Sequence, residues 1–274
     1  LGHLPCLCQG AAWFLRINQI NGYALSFFYK RIEPQGFKSA KSKLKRVCQC
    51  YKGTAYFTTL YDPAKRIPVY SAYVFARKKE KKRHSTWYIE PQLVRPNANP
   101  NMEKSPSKNS SSCWFEEVSK VQAVNQDYIH SKFTRGHINP NGHHNIRNSR
   151  DATFTLTNIV PQPRDANEET WTAAAGGLGY ENKLAVLTSG CYRTYVITGT
   201  IPGNNKSPQM MKGRVNIPQY IWSAYCCVDD NGNPMRSGAR LLQNKNNKFV
   251  DSMTLLELQE KLTAVFEEEV VIFQ

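Results

Sequence analysis

The chain of 274 residues is 41% hydrophobic and carries 36 lysines and arginines against 21 acidic residues, a net charge of +15. That apolar share supports a packed core and excludes a globally disordered chain, and no run approaches the ~18 apolar residues of a helical membrane span. Charge of this sign speaks of partners rather than fold: nucleic acid comes first, then glycosaminoglycans and anionic membrane surfaces.

In chain order, residues 1–25 match no pattern and read as an atypical N-terminal segment ahead of one domain spanning 26–274. The cationic KSAKSKLKR (38–46) reads as a solvated face. YFTTLYD and RIPVYSAYVF, aromatic and β-branched around Asp62-Pro63-Ala64-Lys65, predict a β-hairpin. RKKEKKRH (77–84) is a basic loop, and RPNANPNMEKSPSKNSSS (95–112) is an insertion loop. Apolar residues at 114, 115, 118, 121 and 124 predict a helix over 114–129. DATFTLTNIVPQ alternates, with Ala152, Phe154 and Leu156 on one side and Thr153, Thr155 and Thr157 on the other. That predicts a half-buried strand stopped by Pro161 and Pro163. Asp165 with Glu168 is a capping-box-like start to a short helix that Gly176, Gly177 and Gly179 end. CYRTYVITGTIP and VNIPQYIWSAYCCVDD are further strands, Thr254 with Glu257 opens a C-terminal helix, and VVIF is a closing strand.

The eight cysteines (Cys6, Cys8, Cys48, Cys50, Cys113, Cys191, Cys226 and Cys227) form no pair of C-x-x-C knuckles. Disulfides made in an oxidising compartment fit them better than a zinc ribbon, so a secreted or lumenal protein is expected. Sequons at Asn109 and Asn205 permit it. Vicinal Cys226 and Cys227 are expected to reach elsewhere, since bonding to each other strains the backbone.

FTRGHINPNGHH (133–144) gathers three of the six histidines. A zinc cage needs about four converging ligands, and no nearby cysteine completes one: Cys113 is expected in a disulfide. His143 and His144 read as incidental members of a polar loop. His137 differs, because the strand and helix predicted after it make a β-hairpin-plus-helix unit. A histidine on the first strand of such a unit suits a general base beside a hard cation held by oxygen ligands.

TRGHINPNGHH, FTLTNIVPQ and the N-x-x-x-W of residues 167–171 together resemble the DNA/RNA non-specific endonucleases. That family's signature is D-R-G-H, then N-x-x-P-Q, then N-x-x-x-W-x-x-x-E. FFYKRIEPQGF, TTLYDPAKRIPVYSAYVF, WYIEPQL and RVNIPQYIWSAYCC are similar to one branch, the endonuclease domain-containing 1 proteins, so the likeness covers residues 26–273. It implies an α+β chain with the ββα-metal nuclease fold, a central mainly antiparallel sheet flanked by helices. It implies hydrolysis of DNA, with RNA as a second substrate, without sequence preference. The resemblance also assigns roles: His137 as general base, Asn167 as ligand of magnesium (manganese as a substitute), and Asn158 as support for the site. Arg135 belongs to the motif and Arg83 is a further grip on phosphate. The chemistry is coherent, since an imidazole with pKa of about 6.5 takes a proton near neutral pH. Magnesium needs few protein ligands, and recognition through phosphates ignores sequence.

Two departures stand out. Thr134 replaces the family's aspartate, and Ala175 replaces its glutamate, which on a helix would share a face with Asn167 and Trp171. Trp171 itself reads as packing. The departures keep a second expectation open: a catalytically impaired nuclease fold acting as a basic nucleic-acid-binding or interaction module. Ser26 stands where the branch usually has cysteine, so Cys48 lacks its usual partner unless Cys6 or Cys8 replaces it. A heparin- or membrane-surface-binding protein would leave the ordered motifs without a reason.

Overall fold

The computed structural model describes residues 24–38, 43–76, 86–107, 113–164, 166, 180–203, 208–246 and 250–274. The basic run with Arg83, the helix expected from Asp165 with Asn167, Glu168, Trp171 and Ala175, both sequons, Cys6, Cys8 and residues 1–23 lie outside them.

The chain enters through β1 (Lys45–Tyr51), β2 (Thr54–Asp62) and β3 (Ile67–Val74), then the short β4 (Tyr88–Ile89) and β5 (Glu103–Lys104). Helices α1 (Cys113–Val121) and α2 (Asn125–Tyr128) lead to β6 (Thr134–His137), α3 (Arg147–Ala152) and β7 (Ile159–Gln162). After α4 (Tyr180–Leu187) come β8 (Arg193–Ile201), β9 (Met210–Met211), β10 (Val215–Asn216) and β11 (Tyr220–Val228). The described chain finishes with β12 (Pro234–Gln243), β13 (Val250–Met253), α5 (Leu255–Phe266) and a C-terminal tail.

Seven strands pair antiparallel in the order β1-β2-β3-β8-β11-β12-β13. β2 and β3 are the expected hairpin, and Asp62 closes its turn by accepting the N–H groups of Ala64 and Lys65 at 3.0 and 3.1 Å. Mid-sheet, Gly199 makes room for Trp222: a Cβ there would lie 2.4 Å from the indole. Alternation along the strands separates two faces. One is dry and aromatic, with Phe37, Tyr70, Ile197 and Trp222 packed under Leu258 and Leu262 of α5. The capping box of α5 forms as expected, Thr254 accepting from Glu257 N at 3.2 Å while its own N–H donates to the Glu257 carboxylate at 2.7 Å. The other face, with Phe57, Tyr73, Val196 and Ile221, supports α1, α4 and the β6–β7 ribbon. It also holds buried hydroxyls that satisfy one another, Thr59 with Ser71 at 2.8 Å and Thr198 with Ser223 at 2.9 Å.

Several expectations are corrected. Residues 152–160 are not a half-buried strand: α3 runs to Ala152, a 3-10 turn covers Leu156–Asn158, and Pro161 lies inside β7 instead of ending it. The alternation misleads because both sets of side chains are buried. Thr153 donates to Arg150 O at 2.7 Å, and Thr155 and Thr157 donate to Glu90 Oε1 at 2.9 and 3.4 Å. Pro161 is tolerated because, among the described residues, β7 pairs with β6 alone. The helix expected over 114–129 breaks at Gln122, whose amide pairs with both the N–H and the C=O of Glu90, each at 2.9 Å. VVIF makes a single bridge, Val271 to Gln35, not a strand. Lys45 and Arg46 of the cationic stretch open β1. Cys113 is an exposed thiol outside any disulfide. Cys191 and Cys227 are crosslinked and Cys50 is disulfide-bonded, whereas Cys226 stays a thiol whose pKa burial pushes up to about 11.

Candidate active site

In the β6–β7 ribbon Arg135 faces Pro161, Gly136 faces Val160 and His137 faces Ile159. Residues two apart on a strand share a side, so Arg135 and His137 project together while Gly136 points away. Glycine is required there because Gln162 packs against it: a Cβ would meet Gln162 Oε1 at 2.3 Å. The R-G-H and P-Q stretches are therefore two halves of one close contact.

Trp87 forms a wall common to both side chains. The half-buried His137 ring lies 5.6 Å from the Trp87 ring and 4.9 Å, edge-on, from Phe154. The Arg135 guanidinium sits 5.2 Å from the Trp87 ring centre and 5.1 Å from that of Tyr128. Its Nη2 donates to Asn125 Oδ1 at 2.6 Å and to Asn125 O at 3.3 Å. Burial pulls the Arg135 pKa below the ordinary guanidinium value, and the group remains charged at neutral pH.

Asn158 is buried and every hydrogen-bonding position of its amide is in use. Its Oδ1 accepts from Ser71 Oγ at 3.0 Å and Asn139 N at 2.9 Å; its Nδ2 donates to Asn139 O and Thr153 O, both at 3.0 Å. Its main-chain carbonyl accepts from Ile138 N at 2.9 Å. Asn158 thus fixes the backbone immediately after His137 and has no lone pair left for a metal or a phosphate. Thr134, in the aspartate position, donates its hydroxyl to Gln162 O at 2.9 Å across the ribbon.

His143 and His144 are not polar-loop residues: both are buried. His143 Nδ1 is bonded to Tyr73 Oη at 2.8 Å, and His144 Nε2 to Asn139 Oδ1 at 2.7 Å. Burial pushes both pKa values down to about 3, helped for His143 by His144 and for His144 by Arg150. They are neutral struts of the core. Beneath the site Glu90 is also fully buried, and desolvation pushes its carboxyl up to about 7 against the two threonine hydroxyls.

The structure brings Arg135, His137 and Asn158 together, while Asn167 and Arg83 lie outside the described residues. Among the described residues no group of three or more His, Cys, Asp or Glu is gathered as a metal would need. Reasoning from sequence missed Trp87, Phe154, Tyr128 and Asn125 as neighbours of the motif. Trp87 sits in a stretch that the resemblance singles out, but no spacing ties residue 87 to residue 137.

The model of the DNA/RNA non-specific endonuclease family matches residues 39–268. The chain belongs to that family. It is 32% identical over 202 residues to the endonuclease domain-containing 1 protein of Mus musculus, covering 74% of this chain, and 29% identical over 239 residues to that of Homo sapiens, covering 86%. The matched parts are 38% and 44% of those relatives' lengths, so the chain spans less than half of either. Mitochondrial nuclease EXOG of Mus musculus is 44% identical over 148 residues, half of this chain and 39% of the relative. A chain of the solved EndoG/EndoGI complex superposes with a TM-score of 0.54 at 16% identity, over 85% of this chain and 87% of that one. That likeness shows the fold: an α+β, ββα-metal nuclease fold. Among the described residues no helix is long and apolar enough to cross a membrane.

Proposed function

We propose that the chain is a metal-dependent endonuclease that hydrolyses phosphodiester bonds of DNA, and of RNA as a second substrate, without sequence preference. The observation that carries this reading is the shared side of β6, where Arg135 and His137 stand against one tryptophan. An imidazole nitrogen of His137 takes the proton of the attacking water, and the Arg135 guanidinium holds a phosphate oxygen beside it. Asn158 keeps the His137 backbone in register without touching substrate. Arg83 is a further phosphate contact. The donor set suits a hard, largely hydrated ion: the Asn158 amide is fully engaged, so the protein ligand would be Asn167, with magnesium favoured and manganese a substitute. Such an ion supplies charge stabilisation to the phosphoryl and leaving oxygens. A net charge of +15 supports binding through the phosphate backbone. The Cys191–Cys227 crosslink supports a secreted or lumenal location.

A second reading, a binding module with weakened catalysis, is favoured by Thr134, whose hydroxyl is committed to Gln162 O where the family has a carboxylate, and by Ala175. Cleavage of supercoiled plasmid, with magnesium and with EDTA, by the protein and its His137→Ala variant separates the two. Metal-dependent nicking that the variant loses is the expected result. Retarded but uncut plasmid under every divalent ion leaves only the binding module.

A further inference from the structure

We infer that Asn125, with the rings of Trp87 and Tyr128, is a positioning residue that holds the Arg135 guanidinium in one orientation. This rests on the reading above, in which Arg135 holds a phosphate oxygen. A free arginine has many rotamers, and fixing it on binding costs entropy that a preformed clamp removes in advance. Here the guanidinium lies over two aromatic rings, Trp87 at 5.2 Å and Tyr128 at 5.1 Å. One end, Nη2, is tied to Asn125. Nε is buried without a partner, and among the described residues nothing takes Nη1, so Nη1 remains for a ligand.

The clamp is anchored on its far side. α2 is only four residues long, too short to be stable alone. Asp127 Oδ2 accepts from Val124 N at 2.9 Å, and its Oδ1 accepts from Arg214 Nε at 2.8 Å. Lys212 Nζ donates to Gln126 O and Ile129 O, so the β9–β10 turn grips α2 from outside. Asn125 is thus a fixed point from which Arg135 is aimed, and nothing in the local sequence around residue 135 announces it.

The test is a double-mutant cycle on the full chain, reading the affinity for a short mixed-sequence DNA duplex by anisotropy in EDTA. Asn125→Ala is expected to weaken binding roughly fivefold, Arg135→Ala roughly tenfold or more, and the double variant no further than Arg135→Ala alone. A second readout is the Arg135 Nε–H NMR resonance, identified by its loss in Arg135→Lys. It should be protected from solvent exchange in the wild type and in Asn125→Asp, which keeps the acceptor, and averaged away in Asn125→Ala. Additive losses in the cycle, or an Nε–H signal unchanged in Asn125→Ala, overturn the clamp. If Asn125→Ala fails to fold, loss of the signal in a folded Asn125→Asp overturns it instead. Parallel cleavage with magnesium keeps the two ideas apart: a wild type that never cuts but shows the non-additive cycle sinks the nuclease reading and leaves the clamp standing.

Discussion

His137 and the pair His143–His144 lie within eight residues of one another and have opposite physical fates. His137 is half-buried between two aromatic rings at the edge of a two-stranded ribbon, beside an arginine. The other two are sealed beneath it, hydrogen-bonded to Tyr73 and Asn139, and held neutral by burial. An imidazole that must exchange protons needs access to water and tolerance for charge; one that braces a core needs neither. The same side chain therefore meets different degrees of desolvation within eight residues, and sequence proximity does not separate the two environments.

The contrast breaks most visibly at His137. His137→Ala should lower metal-dependent plasmid cleavage by roughly a thousandfold with the melting temperature preserved. His143→Ala should do the reverse: lose about 3 kcal/mol in urea unfolding through the broken Tyr73 bond and the vacated volume, with the folded fraction still cutting. Cleavage lost in a stably folded His143 variant would refute the division of labour.

Titration sharpens it. His143 and His144 have folded pKa values of about 3 against an ordinary 6.5, so between those limits the unfolded chain binds more protons. Their contribution is complete above pH 6.5 and falls as pH drops, by about 1.4 kcal/mol per unit for each fully buried histidine. Glu90 acts oppositely. Its folded pKa of about 7 exceeds the ordinary 4.5, so the folded chain keeps a proton that the unfolded chain has released, and stability falls as pH rises from 4.5 to 7. Glu90→Gln should therefore gain roughly 3 kcal/mol on the wild type between pH 4 and pH 8. Denaturant midpoints across that range check it, and parallel curves would place the Glu90 carboxyl in water. The smallest effect is Ser71→Ala, which removes one of the Asn158 bonds together with the Thr59 bond and should cost about 1–2 kcal/mol in the same assay.

The sheet was readable where local physics and the final environment agree. The β2–β3 hairpin carries its turn chemistry in Asp62, and α5 carries its capping box in Thr254 and Glu257. Residues 152–160 were misread because alternation reports a sheet with one wet face, and this segment has none: its threonines find buried acceptors as far away as Glu90. His143 and His144 were misread for the same reason, since their partners lie on β3 and in the loop after β6. Within the site, R-G-H and N-x-x-P-Q were legible through the family resemblance. Trp87, Tyr128 and Asn125 were not, because contacts made in three dimensions leave no spacing behind.

The Asn158 knot has a consequence in time. Its side-chain bonds reach partners 5, 19 and 87 residues away along the chain, the farthest being Ser71 on a different strand pair. Long-range contacts close late in folding. The bonds to Asn139 and Thr153 can close locally, whereas the Ser71 bond that ties this backbone to the core forms only once the large sheet exists.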